Sequence, residues 1–212
     1  MKKMNKKGIL TVVSGFSGAG KGTVMRELLN QYDYGLSISA TTRSPRAGEV
    51  DGKEYFFLTR DRFESMIEQN ELIEWAEYVG NYYGTPKQYV EDQLSLGKDV
   101  ILEIEIQGAL KIKEQFEDAL LLFIAPPTAD ELKRRLVKRG TEDIETINKR
   151  LIRAYEEAAF MNHYDYIVVN DDLNTCVKQI HQIIQNEHCK SSKIQEFIDE
   201  ITNELEAFQR GE

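Results

Sequence analysis

The stretch Gly15-Phe16-Ser17-Gly18-Ala19-Gly20-Lys21-Gly22-Thr23 follows directly on the apolar run Ile9-Leu10-Thr11-Val12-Val13. A glycine-rich loop between a strand and the start of a helix constrains both the fold and the ligand. Glycines let backbone N–H groups turn toward phosphate oxygens, the helix N-terminus presents the positive end of its dipole, and Lys21 adds a full charge. The spacing matches G-x-x-x-x-G-K, so the expected ligand class is a nucleoside polyphosphate. Gly22 follows the lysine, which moves the usual magnesium-binding hydroxyl to Thr23. The competing reading is an ordinary tight turn, and it leaves Gly15, Gly18, Gly20 and Lys21 standing in frame unexplained.

Strand-like segments near 8–14, 36–40, 99–106, 120–125 and 165–169 alternate with helical patterns near 22–31, 107–116, 128–139, 142–161 and 173–189. This alternation predicts an α/β fold with a parallel sheet flanked by helices. The runs 100–106 and 120–124 are apolar enough to be central strands. Pro126-Pro127 ends the second of them, and Thr128 is placed to cap the next helix. Residues 36–97 break the rhythm with short aromatic strands and a helix near 60–70, which predicts a small inserted lobe. Residues 139–149 are polar and carry a glycine, the composition of a loop between two helices that closes over a site. The segment 191–212 spaces Ile194, Ile198, Ile201, Leu205 and Phe208 in a 4-3-4-3 pattern. That pattern predicts an amphipathic helical tail, expected to pack on its own body rather than to pair as a coiled coil.

A formal net charge of −9 argues against general nucleic-acid binding, which needs a basic footprint. No apolar run approaches the length of a bilayer span, and the basic N-terminus leads into no signal-peptide core, so a cytoplasmic setting without membrane partners is expected. Cys176 and Cys189 read as positions on one helix, about 20 Å apart and beyond disulfide reach, hence free thiols. His163, His181 and His188 show no metal spacing and read as surface residues.

Arg43 and Arg46 flank Pro45 in Thr41-Thr42-Arg43-Ser44-Pro45-Arg46-Ala47-Gly48-Glu49. Two guanidinium groups on a stiffened loop can grip one phosphate by forked hydrogen bonds, although two solvated arginines fit the same spacing. The string continues with Gly52-Lys53-Glu54-Tyr55-Phe56-Phe57, Ile73-Glu74-Trp75-Ala76-Glu77-Tyr78 and Gly80-Asn81-Tyr82-Tyr83-Gly84-Thr85. These segments resemble the GMP-binding lobe of guanylate kinases. The ordered likeness runs on through 99–108, Phe123-Ile124-Ala125-Pro126-Pro127, Arg139-Gly140-Thr141-Glu142 and Val169-Asn170-Asp171-Asp172, and covers about residues 8–188.

The resemblance implies a P-loop NTPase-type core (8–188), an ATP loop at 15–23, a GMP lobe at 36–97, a helical lid near 135–150, and a separate tail at 191–212. It implies that Arg43, Arg46, Tyr55 and Tyr83 hold the GMP phosphate, and that Ser39, Glu74, Thr85 and Glu105 read guanine. A carboxylate accepts both donors of the guanine edge, and adenine would leave it unpaired. Read without the motif, Glu74 would be a solvated glutamate. Arg135, Arg139 and Arg150 match lid cations, Lys21 and Arg43 complete the catalytic charge, and Asn170 matches a position beside the adenine of ATP.

Glu103 and Glu105, two apart on a predicted strand, stand where the family often has aspartates. Glu103 is implied in hydrated magnesium and catalytic geometry, Glu105 in guanine recognition; capping or pairing with a neighbouring arginine is the alternative for either. The Gly-Lys-Gly-Thr form implies Mg2+ held through nucleotide phosphates and water, with no dedicated protein ligand set and with Thr23 and Glu103 as candidate contributors. The reading is a transfer of the γ-phosphoryl group from MgATP to GMP or dGMP. Its rivals are a kinase for another nucleoside monophosphate and a non-catalytic guanylate-kinase-like module that binds phosphopeptides. The oligomeric state is not legible.

Overall fold

Val12 and Val13 are fully buried because their strand runs through the middle of a parallel sheet. In the computed structural model, residues 7–46, 48–78, 80–138 and 143–210 are described. The chain runs β1 (Leu10–Gly15), α1 (Lys21–Gln31), β2 (Gly35–Leu36), β3 (Ala40–Thr41), β4 (Phe56–Phe57), α2 (Arg60–Glu68), β5 (Leu72–Tyr78), β6 (Asn81–Pro86) and α3 (Lys87–Ser95). It continues with β7 (Val100–Glu103), α4 (Ile106–Gln115), β8 (Leu120–Ala125), α5 (Ala129–Lys138), α6 (Ile144–Ala158), β9 (Tyr166–Val169), α7 (Leu173–Glu187) and α8 (Gln195–Arg210).

The main sheet has the order β2-β7-β1-β8-β9, all neighbours parallel. Alternation along the strands divides the core into two layers. Val13, Ile101, Leu120, Leu122 and Ile124 face α1 and α7, meeting Val24, Leu28, Val177, Ile180 and Ile184. Val12, Val100, Leu102, Leu121 and Phe123 face α3 and α4, meeting Val90, Leu94, Ala109 and Ile112. The chain leaves β1 toward β2 and β7, then crosses to β8 and β9. The carboxyl ends of β1 and its neighbours therefore frame the crevice in which open α/β sheets bind ligands.

Residues between β2 and α3 form a second, mixed sheet of order β4-β3-β6-β5, as the broken rhythm of 36–97 predicts. Its own core is Ala40, Phe63, Met66 and Leu72. Helices α5 and α6 pack on each other through Leu132, Leu136, Ile147 and Ala154. Thr128 caps α5 as expected, its hydroxyl accepting from the Glu131 N–H at 3.1 Å.

Four expectations are corrected. The strand predicted at 36–40 is two short strands in different sheets, because the chain passes there from the core into the lobe. The strand predicted at 99–106 ends at Glu103, and Glu105 is the N-cap of α4, so Glu103 and Glu105 do not share a strand face. His181 and His188 are half-buried rather than free surface residues. The His181 ring stacks on Tyr32 at 3.7 Å and shares a 2.7 Å hydrogen bond with the Tyr34 hydroxyl, while His188 Nε2 lies 2.9 Å from Asp99 Oδ1. The tail helix α8 buries none of its residues and leaves Phe197, Ile201, Leu205 and Phe208 exposed. Both cysteines are free, with Cys176 buried in α7 and Cys189 just past its end. Helix α3 was not anticipated in the insert.

Candidate active site

The phosphate loop joins β1 to α1 and takes its shape from glycine. Gly18 and Gly20 adopt φ of 94° and 92°, which disfavour a side chain. A Cβ on Gly18 would lie 2.8 Å from the Leu136 side chain, and one on Gly20 2.6 Å from Asn170 Nδ2. The loop is thus packed against α5 on one side and against the end of β9 on the other. Phe16 packs against both faces of the main core and the α5–α6 core, and its ring meets Phe123 edge-on at 4.9 Å. Lys21 opens α1 and folds back over the loop, its Nζ donating to the Gly15 carbonyl at 2.7 Å and the Phe16 carbonyl at 3.3 Å.

Two of the three arginines that the resemblance assigns to a lid converge on this loop. Arg135 donates to the Ala19 carbonyl at 3.2 Å and the Asn170 carbonyl at 2.9 Å. Its orientation is fixed by Glu131, whose carboxyl is held down at about 2 by the guanidinium groups of Arg134 and Arg135. Arg150, on α6, donates to the Ser17 hydroxyl at 2.7 Å. Asn170 donates its amide to the Ala19 carbonyl at 2.8 Å. Arg139 lies outside the described residues. The neighbouring Arg134 is largely exposed and pairs with Glu131 at 2.6 Å.

On the small lobe, Arg43, Tyr55 and Tyr83 come together. The Arg43 guanidinium stands 5.4 Å from the Tyr55 ring centre, and the Tyr55 and Tyr83 rings are 6.0 Å apart. Arg43 is also held by Glu49, with Nη2 2.9 Å from both carboxylate oxygens. Glu49 accepts from the Arg46 backbone N–H as well, at 2.6 Å, which with Arg43 keeps its carboxyl below the ordinary range. Arg46 is exposed at the edge of the same cluster.

A second cluster sits where the lobe meets the core. Glu74 faces Thr85 across β5 and β6, and the Thr85 hydroxyl donates to Glu74 Oε1 at 2.8 Å. Burial pushes the Glu74 carboxyl up, against the pull of that hydrogen bond and of Lys111. Oε2 of Glu74 approaches the first turn of α4, where a Cβ on Gly108 would lie 3.2 Å away. Ser39 precedes β3, half-buried, and its carbonyl receives the Phe56 N–H at 2.9 Å.

Glu105, at the start of the same helix, turns instead to Arg153, 2.7 Å from Nη2. The arginine pairing held open in the sequence is the one observed. Glu103, at the exposed end of β7, has its carboxyl raised by partial desolvation from the surrounding protein and pulled down by the charge of Lys21.

Three side chains near these clusters had no assigned role in the sequence: Glu49, Arg153 and Glu157. Arg153 lies three residues after Arg150 and four before Glu157, a spacing that puts Arg150, Arg153 and Glu157 on one face of α6. That periodicity was visible, but its target, Glu105, was not.

The donor set bears on magnesium. Among the described residues no group of three His, Cys, Asp or Glu side chains is placed to hold a metal ion. Thr23 is exposed in the first turn of α1, and Glu103 lies within electrostatic reach of Lys21. One hydroxyl and one carboxylate fit a cation that keeps most of its water and takes its other ligands from phosphate.

A phosphate loop at the carboxyl end of a central parallel strand, two packed helices carrying arginines over it, and an inserted mixed lobe with an arginine–tyrosine cluster of its own define a P-loop nucleotide-kinase fold. The guanylate kinase family model matches residues 7–187. Guanylate kinase of Halalkalibacterium halodurans is 53% identical over 191 residues, covering 89% of this chain and 93% of that one. Guanylate kinase of Bacillus subtilis is 52% identical over 193 residues, covering 90% and 95%. The crystal structure of guanylate kinase from Anaplasma phagocytophilum superposes with a TM-score of 0.72 at 33% identity, covering 92% and 95%. The chain belongs to the guanylate kinase family. The phosphate loop is whole and these relatives are named as kinases, so the phosphopeptide-module reading has no support. Among the described residues no helix is long and apolar enough to cross a membrane.

Proposed function

We propose that the protein transfers the γ-phosphoryl group of MgATP to GMP or dGMP, giving ADP and GDP or dGDP, as a step of purine nucleotide metabolism in the cytoplasm. The observation that carries the reading is the presence in one chain of the loop at 15–23 and a separate lobe with paired phosphate-type and base-type clusters. Family membership over residues 7–187 supports it.

In this reading the loop backbone, Lys21 and Asn170 hold ATP, while Arg43, Arg46, Tyr55 and Tyr83 hold the phosphate of GMP. Two cations and two phenol donors suit a dianion. Glu74, with Thr85, Ser39 and Glu105, takes the guanine edge. The attacking atom is already an anionic phosphate oxygen, so no general base is required; alignment and positive charge do the catalysis. Lys21, Arg135 and Arg150, joined by Arg139 as the family resemblance implies, surround the transferring group as its charge spreads over the equatorial oxygens. Thr23 and Glu103 are the side chains that would meet the hydration shell of a Mg2+ ion bound with ATP, which would supply positive charge to the phosphates. Closure of α5 and α6 over the two nucleotides excludes water as a competing acceptor.

The test is ADP formation from MgATP with GMP, AMP, CMP and UMP in parallel. GMP is expected to exceed each of the others by about 100-fold or more in kcat/KM, the discrimination that a buried unpaired carboxylate imposes. Equal turnover with AMP would overturn the base assignment.

A further inference from the structure

We propose that Arg153 is the positioning residue for base recognition, holding the Glu105 carboxylate in place from a fixed anchor on Glu157. The proposal rests on the reading of Glu105 as a guanine acceptor.

Arg153 bridges two carboxylates of very different exposure. Its Nε donates to Glu157 Oε1 at 2.9 Å, and the Glu157 side chain is only 14% exposed. Its Nη2 donates to Glu105 Oε2 at 2.7 Å, and the Glu105 side chain is 76% exposed. One end of the guanidinium is therefore held by an enclosed carboxylate and the other reaches an exposed one. Glu105 caps α4 with its backbone in an extended conformation, but its side chain makes no capping hydrogen bond. A glutamate has one more rotatable bond than an aspartate, so at an N-cap without a capping bond its carboxylate samples several positions. Ordering such a side chain at the moment of binding costs affinity, and a partner that orders it beforehand restores that affinity.

The geometry leaves the carboxylate usable. Arg153 occupies Oε2, and Oε1 stays available to accept a donor from the edge of a base. An ion pair this exposed contributes little to folding stability, so stability alone does not account for the arrangement. Arg153 also shares α6 with Arg150, whose guanidinium reaches Ser17 of the phosphate loop. One helix thus touches both the ATP side and the base side of the site.

The experiment is a cycle of R153A, E105D and the double variant, with E105A and R153Q alongside. The GMP Kd is measured by calorimetry without ATP, and KM for both nucleotides and kcat by ADP release. R153A is expected to raise the GMP Kd about fivefold, with R153Q close to it, while the ATP KM stays within about 1.5-fold. In the E105D background, where the shorter side chain no longer reaches the guanidinium, the added R153A should cost less than about 1.5-fold. An equal cost of R153A in both backgrounds, or equal losses for GMP and ATP, would overturn the proposal. If E105A weakens GMP and R153A does not, the Arg153 role alone fails. If E105A leaves the GMP Kd unchanged, the base-reading role of Glu105 fails, and this proposal with it.

Discussion

Thr85 donates its hydroxyl to the Glu74 carboxylate at 2.8 Å from the directly facing position on the neighbouring strand. The bond fixes one oxygen of a largely enclosed carboxylate and turns the other toward the first turn of α4. It lies where β5 of the lobe sheet meets α4 of the main core, at the point where the base is proposed to sit.

Glu74→Gln should lower the kcat/KM preference for GMP over AMP by about 10- to 100-fold, because the amide donates where guanine also donates. A pH signature accompanies it. Burial raises the folded carboxyl above its unfolded value. The stability this group contributes is full below the unfolded value and is lost as pH rises through the folded one. Without nucleotide, the glutamine variant should therefore melt higher than the parent at pH 7, with the gap closing toward pH 4. A parent that gains stability relative to the variant as pH rises would contradict the burial argument.

Lys21→Met should reduce kcat by about 10²- to 10³-fold, the usual consequence of removing one donor from a transition-state charge site. GMP affinity, measured by calorimetry without ATP, should stay within about twofold, since the clusters proposed to hold GMP lie on other elements. A variant turning over within threefold of the parent would remove Lys21 from the chemistry.

Arg43→Ala removes a guanidinium bound to both oxygens of Glu49 and leaves that carboxylate facing the proposed phosphate site. Affinity for GMP should fall at least about 10-fold, from lost attraction and new repulsion together. ATP affinity should not change. Separate titrations of the two nucleotides decide the matter, and equal weakening would dissolve the division into two lobes.

Gly20→Ala and Gly22→Ala separate two kinds of glycine in one loop. At Gly20 the backbone φ is 92° and the new methyl would press on Asn170 Nδ2. A cost of about 1–2 kcal/mol is expected from the left-handed conformation, seen as a melting temperature lower by roughly 2–8 °C, with weakened ATP binding. At Gly22, a helical position, no atom lies within 4 Å of the new Cβ. There the alanine should hold or raise the melting temperature, because helix propensity improves. Thermal melts of the two variants provide the comparison.

Cutting the chain after Lys190 should leave kcat and both KM values within about twofold. Helix α8 buries no residue, and Lys193 reaches the body through an ion pair with Asp118, itself 80% exposed. Such a pair contributes at most about 1 kcal/mol, so the melting temperature should shift by only a few degrees. A truncated, folded protein unable to transfer phosphate at saturating ATP and GMP would tie the tail to the active site.

Local sequence was enough for the phosphate loop, the alternation of strands and helices, and the inserted lobe. Each is written in adjacent residues: glycines that permit positive φ, apolar runs with the period of strand or helix, and a dense order of arginine, proline, tyrosine and glycine. The choice of partners was not local. Glu105 and Arg153 are 48 residues apart and meet only because α6 folds back over the end of β7. His188 finds Asp99 because α7 packs on one face of the sheet and its C-terminal end comes to the start of β7, whereas a helix-face pattern alone assigns that histidine to solvent. The tail shows the converse. Its 4-3-4-3 seam announces an amphipathic helix, yet no pattern within a helix says whether a surface exists to receive it. Periodicity determines which face of an element is apolar; only the assembled tertiary structure decides what that face, or a charge upon it, meets, because those contacts depend on packing between elements distant along the chain.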